Sequence, residues 1–345
     1  LLAFAFWDKI GLQPSDMKLE IFNDDPLKVL ASSKPVVENA RFVFIDDGSI
    51  KAAAKAVAGR FNEGPGAEEM GLKATKNIEE DVQLVFLEDV VNFCFWAPKD
   101  GTKWSVEDAS GLSVSGGWFA LKNCFDRALA EGLPILDASY LSTIGLGDVR
   151  RFFRGANGVE IPLLEGRADN FREAGRVLLE KYGGKFINLI ESANHNASVA
   201  VRMIVDDFSS FRDISKFDAA NVYFLKRAQI CCHDLDCVFK TKGKRLAETG
   251  VLTAFADYKV PQILRMFGVL NYESTLAEKV DAYVELPHDG REEIEIRAAS
   301  IWAVELMRQE LPKFSAVDID NALWLMSQSI QSQARPYHRT KTIFY

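Results

Sequence analysis

From Trp118 to the C-terminal region one pattern recurs: apolar residues three and four apart, closed off by Gly or by short polar breaks. Segments of this kind include GWFALKNCFDRALAEG, DNFREAGRVLLEKYGG, NASVAVRMIVDDF, FDAANVYFLKRAQICC, VPQILRMFGVL, STLAEKVDAYV, REEIEIRAASIWAVELMRQEL and VDIDNALWLMSQSI. Such spacing puts one apolar stripe on each helix, and the stripes can be buried only against one another. The chain is therefore expected to be mainly α with a minor β element. The β element comes earlier: KWSVEDASGLSVSGGW alternates and carries turn residues, as a short hairpin does. RFVFIDDGSIKAAAKAVAGRF reads as a short extended segment followed by a helix capped by Asp47 and ending near Gly59. In QLVFLEDVVNFCFW, periodicity does not separate a buried helix from a strand. FNEGPGAEEMG reads as a loop.

Residues 1 to 35 have scattered Pro and Asp and weak periodicity, so they read as an N-terminal extension or arm. No internal repeat and no linker breaks the rest, and residues 36–345 are expected to form a single domain. A formal charge of -8 repels polyanions, so long nucleic acid is not an expected partner. One phosphate on a small ligand needs only a local pocket. The 5 cysteines lack a disulfide framework and point to a reducing compartment, with the cytoplasm as the expected location. The opening LLAFAFWDKI lacks a basic region ahead of its short apolar run, and no stretch has the length of a membrane span, so neither a signal peptide nor a membrane partner is expected. Asn196-Ala197-Ser198 is a chance match to a glycosylation triplet.

Several clusters bear chemistry. In LTAFADYKVPQILRMFGVLNY, Pro261 suits the first turn of a helix, which starts the helix near Tyr258 and puts Asp257 at or beside its N-cap. The positive end of a helix favours negative charge there. A fixed carboxylate is what an oxocarbenium-like sugar transition state needs beneath its anomeric carbon, although a capping role alone accounts for the same spacing. Lys226 and Arg227 are adjacent cations in an apolar helical segment; one can hold a phosphate, and both can equally be snorkelling at the edge of the core. Asp318 and Asp320 can accept hydrogen bonds from a ligand or cap a helix start. Phe93, Phe95, Trp96, Trp118, Phe255 and Trp324 belong mostly to the core, and some can stack on a purine-like base. Cys231-Cys232-His233 with Cys237 makes a poor tetrahedral zinc set, because adjacent cysteines cannot easily share one site and no second CxxC exists. No metal and no cofactor are expected. No GxSxG elbow is present, and the glycines of IGLGDVRRFFRG read as a helix start rather than a phosphate loop.

Taken in order, VNFCFWAP, SGGWFALKNCFDRALAEGLPILDASY, FRD with YFLKRAQI, FADYKVPQILRMFGVLNY, EIEIRAASIWAVELM and YHRTKTIFY resemble the queuosine salvage family, over roughly residues 36–345. The resemblance implies a fold similar to helix-hairpin-helix DNA glycosylases. It also implies an N-glycosidase acting on queuosine 5′-phosphate, a small-molecule nucleotide, with release of queuine for salvage into tRNA. The FADY aspartate, Asp257, becomes the catalytic carboxylate, and Phe255 lines the base pocket. Tyr258, Lys226, Arg227, Asp320 and Trp324 complete the expected substrate-binding set. Two departures stand out: GLKATKNIEEDV lacks the family's histidine upstream of the NFSFW-like motif, and DIDNALWL has Leu325 where the family pattern LLDYYLWD has its last acid. A DNA-glycosylase-like base-excision enzyme and a catalytically weakened binding partner are the alternatives.

Overall fold

The computed structural model describes residues 19–21, 24–61, 77–108, 110–115, 117–330 and 334–345. Most of the expected N-terminal arm and most of the expected loop FNEGPGAEEMG, together with GLKAT, lie outside the described residues. The helices are α1 (Val29–Glu38), α2 (Asp47–Phe61), α3 (Ile78–Val90), α4 (Trp118–Ala130), α5 (Ala138–Thr143), α6 (Leu146–Phe152), α7 (Leu164–Tyr182), α8 (Ile187–Ser192), α9 (Ala197–Asp207), α10 (Lys226–Thr241), α11 (Lys259–Met266), α12 (Ser274–Asp281), α13 (Arg291–Glu310) and α14 (Ala316–Ser329). Short strands complete the described set: β1 (Val43–Ile45), β2 (Ser105–Glu107), β3 (Ser113–Ser115), β4 (Ile214–Phe217), β5 (Ala220–Tyr223) and β6 (Leu270–Tyr272). They pair antiparallel as β1 with β6, β2 with β3 and β4 with β5. The protein is thus mainly α with a minor β component. Among the described residues no helix is long and apolar enough to cross a membrane.

The described residues fall into two compact units. The described residues of the first fall within Leu1–Gly64, Ile214–Phe224 and Thr253–Arg339. Its centre is α13, which packs against α1, α2, α11 and α14. Helix α13 is buried almost all round, from Glu293 to Met307, as expected of a core helix. Trp302, fully buried on it, donates its indole N–H to Ser33 Oγ of α1 at 3.1 Å, so even the polar tip of this side chain is satisfied. Helix α14 opens with a capping box: Ser315 accepts from Asp318 N at 3.1 Å, and Asp318 returns the bond to Ser315 N at 2.8 Å. This uses Asp318, which is exposed, as a cap. Ser315→Ala is expected to lower stability by about 0.5–2 kcal/mol in a urea titration, because it strands one N–H of the first turn.

The described residues of the second unit fall within Pro65–Asp213, Leu225–Leu252 and Thr340–Tyr345. The expected hairpin is present, with Ser105 opposite Ser115. QLVFLEDVVNFCFW resolves into the end of α3 followed by irregular chain from Asn92. Helix α7 starts before the expected segment, at Leu164, and stops at Gly183 with φ +58°. Gly175 lets α7 cross α5 closely, since a Cβ there would lie 2.6 Å from Ala138 O. Asn196 caps α9, accepting from Val199 N at 3.1 Å.

Two expected helices are shorter than their apolar patterns. FDAANVYFLKRAQICC begins as the β4–β5 hairpin, turning at Asp218 with φ +53°, and becomes helical only at Lys226, after Leu225 with φ +52°. Val222 and Tyr223 favour the pleated hairpin, and the left-handed Leu225 separates strand from helix. VPQILRMFGVL is helical to Met266; Gly268, with φ +71°, then turns the chain into β6. At α2, Asp47 is the first helical residue rather than a cap outside the helix, and the helix runs on to Phe61.

Candidate active site

In the first unit, the candidate residues gather on the chain entering α11. Asp257 is half-buried, and its Oδ1 accepts from Lys259 N at 2.7 Å and Val260 N at 3.0 Å. The helix start therefore holds this carboxylate through one oxygen, as the position of Pro261 in the first turn implies. The two residues before it are each held by a buried side chain. Phe255 N donates to Asp320 Oδ1 at 2.9 Å, and Ala256 O accepts from Arg297 Nε at 3.0 Å. Asp320 is 3% exposed and Arg297 0%. Arg297 also meets Glu293 one turn earlier at 3.5 Å and lies over the Phe224 ring at 3.9 Å. FADY is thus a backbone loop clamped by a buried acid from α14 and a buried cation from α13, with Asp257 at its tip.

Aromatic side chains of the same unit meet the residues that follow Asp257. Tyr258 packs against Tyr337 with ring centroids 4.9 Å apart, and the Lys259 ammonium lies 4.9 Å from the centre of the Tyr337 ring. Phe255 is buried and Trp324 is half-buried. The structure thus brings Asp257, Phe255 and Tyr258 together on one loop, and Asp320 supports that loop through Phe255.

Lys226 and Arg227 belong to the second unit, as the first two residues of α10. Asp213 organises this start, accepting Leu225 N on its carbonyl at 3.1 Å and Lys226 N on Oδ2 at 3.0 Å. Arg227 is 1% exposed, and its guanidinium donates to Asp89 O at 2.8 Å, Val90 O at 2.7 Å and Ser210 O. It ties the end of α3 to the loop before β4 and lies over the Phe211 ring at 4.4 Å. Arg167 does similar work on NFCFW, donating to the carbonyls of Val91, Phe93 and Cys94 with its guanidinium 4.3 Å from the Phe93 ring centre. Lys226 is also buried, at 5% exposure, among Glu88, Asp89, Lys122 and Asp234. This acid-rich cluster escaped the sequence reading. Its signal is the presence of acids inside the apolar runs QLVFLEDVV and QICCHDLDCVF.

Burial raises the thiols of Cys231, Cys232 and Cys237, the last to about 12. Elsewhere, ligand atoms of His288, Asp289 and Glu293 come within 4.8 Å of one another. A cavity of about 350 Å³ lined by Asp169, Arg172, Glu173, Arg176 and Ser209 lies in the second unit and contains none of the nominated residues. At the FADY loop the start of α11 holds the Asp257 carboxylate through Oδ1, and the next residue, Tyr258, packs its ring on Tyr337.

The sequence pattern of the family described as "Queuosine salvage protein" matches residues 72–345. A Sphaerobacter thermophilus protein named queuosine 5′-phosphate N-glycosylase/hydrolase is 39% identical over 328 residues, covering 93% of this chain and 98% of its own. Proteins of the same name from Bos taurus and Mus musculus are each 35% identical, covering 91% and 93% of this chain and 97% and 99% of their own. With the matched region spanning the FADY loop, both clamping helices and the C-terminal YHRTKTIFY, the chain belongs to the queuosine salvage protein family.

Proposed function

We propose that this protein hydrolyses the N-glycosidic bond of queuosine 5′-phosphate and releases queuine. The observation that carries the reading is the Asp257 carboxylate, fixed through Oδ1 at the start of α11 and followed by Tyr258, whose ring packs on Tyr337. Queuine is a 7-deaza base, so protonation at N7 cannot help it leave. The sugar side must carry more of the transition state. As the C1′–N bond breaks, its electron pair goes to the base and positive charge spreads over C1′ and the ring oxygen. The second oxygen of Asp257, on the side away from the helix start, stabilises that charge and orients a water. Water adds to C1′, its proton passes through the carboxylate, and the departing base is protonated.

Phe255, Tyr258 and Trp324 are the proposed stacking surfaces for the base, and Asp320 sets their loop by holding Phe255 N. Lys226 is the proposed cation for the 5′-phosphate. Arg227 is the weaker candidate, since both terminal nitrogens of its guanidinium donate to main-chain carbonyls. No step of this scheme uses a metal. The mainly α architecture supports a proposed relationship to the helix-hairpin-helix DNA glycosylases, and five free thiols fit a cytoplasmic location.

Incubation with queuosine 5′-phosphate, followed by chromatography, is expected to yield free queuine and ribose 5-phosphate. Turnover should change little with salt, because a mononucleotide releases few counterions. A DNA-glycosylase reading predicts the opposite: activity on DNA that collapses as salt rises.

A further inference from the structure

A buried amide of the first unit has only part of its hydrogen-bonding capacity in use. Gln262, on α11, is 7% exposed. Its Nε2 donates to Arg335 O at 2.6 Å, whereas its Oε1, also buried, has no hydrogen-bond partner. Turning the amide over would set Oε1 against the carbonyl, so the Arg335 bond decides which end faces it. A stranded acceptor lowers stability, and a methionine would fill about the same volume without one. Packing alone therefore does not account for a glutamine at this position; the bond to Arg335 does.

That bond holds the stretch of chain that carries Tyr337. Residue 336 is a proline, which fixes its own φ and confines residue 335 to extended conformations. An anchored Arg335 carbonyl thus leaves little freedom in the direction of residue 337. On α11, Gln262 lies one turn after Tyr258 and on the same face. The stretch is therefore attached to α11 at two levels, by the hydrogen bond at Gln262 and by ring contact at Tyr258, where the Tyr258 and Tyr337 planes incline at 38°. The Lys259 ammonium and the Arg339 guanidinium lie 4.9 and 4.8 Å from the centre of the Tyr337 ring. Further on, Arg339 O accepts from Leu286 N at 2.7 Å and closes the far end. Tyr337 is in this way a support for Tyr258, the residue that directly follows Asp257.

We infer that Gln262 is a positioning residue for base binding: by tethering residues 335–337 to α11 it fixes the Tyr337 ring against Tyr258, and so sets the face that Tyr258 offers to the nucleobase. The inference rests on the proposed activity and on the place of Tyr258 in it. A tyrosine ring free to turn must be ordered when substrate arrives, whereas a ring already backed by Tyr337 is ordered beforehand. Stacking is made in the bound substrate and kept as the C1′–N bond stretches. Losing the order therefore weakens ground state and transition state alike, so KM rises and kcat stays.

The test compares the parent protein with Q262M, Y337A and the double variant in base release from queuosine 5′-phosphate, alongside thermal melts. Q262M is expected to raise KM about five-fold with kcat within about two-fold of the parent. It should melt no lower than the parent, because it removes the stranded Oε1, and Arg335, an exposed residue, can turn its carbonyl to water. Y337A is expected to raise KM about ten-fold by taking away the support itself. Since Gln262 acts through Tyr337, the double variant should show about the KM of Y337A and not the product of the two effects. A Q262M protein that melts below the parent with parental KM would make Gln262 a structural clasp, and multiplied effects on KM would cut its link to Tyr337. Either result overturns the inference, as does a fall in kcat at constant KM. If the parent protein releases no base at all, the proposed activity fails and the inference fails with it.

Discussion

Asp257→Asn is expected to lower kcat for base release from queuosine 5′-phosphate by about 10²- to 10⁴-fold, with KM close to the parent value. The substitution keeps an acceptor oxygen where Lys259 N and Val260 N converge, so the start of α11 should survive. What it removes is negative charge, which is worth most when the C1′–N bond is stretched and little when substrate merely binds. Far-ultraviolet circular dichroism and a thermal melt serve as controls. A variant with parental fold and near-parental kcat would place the essential carboxylate elsewhere.

Arg297→Met should have the largest effect on stability of any single change near the site, about 3–5 kcal/mol by chemical denaturation. Arg297 is fully buried and serves at once as ion-pair partner of Glu293, donor to Ala256 O and cover for the Phe224 ring. Methionine replaces much of the volume but not the charge, so Glu293 loses its ion pair within α13 and Ala256 O loses its donor. Because Ala256 adjoins Asp257, residual folded protein should also show reduced kcat. A Glu293→Gln, Arg297→Met double variant should recover part of the stability but not the kcat, since the clamp on the loop is still missing.

The local part of this architecture is legible along the chain. Helices α4, α9, α12, α13 and α14 announce themselves by spacing, the β2–β3 hairpin by alternation, and the placement of Asp257 by a proline in the first turn. What fails is the reading of short apolar runs. FDAANVYF has helical spacing over too few residues to exclude a strand, and the deciding residues are Asp218 and Leu225, whose left-handed conformations no apolar pattern encodes. Likewise, Phe255 meets Asp320 across 65 residues and Arg227 meets Asp89 across 138. Contacts of that range depend on how helices pack, so Arg227 resembles a surface cation in sequence and is a core clamp in the fold. Asp89 and Asp234 are hidden for the same reason: an acid in a helix reads as solvated until its neighbours are known.

The Asp257 assignment is tested most directly by a crystal structure of the chain carrying Asp257→Asn with intact queuosine 5′-phosphate bound. The side chain at position 257 should lie about 3–3.5 Å from C1′ on the face opposite the base, with the base against Phe255 or Tyr258. A ribose whose C1′ faces a different carboxylate, with position 257 turned to solvent, would contradict the account.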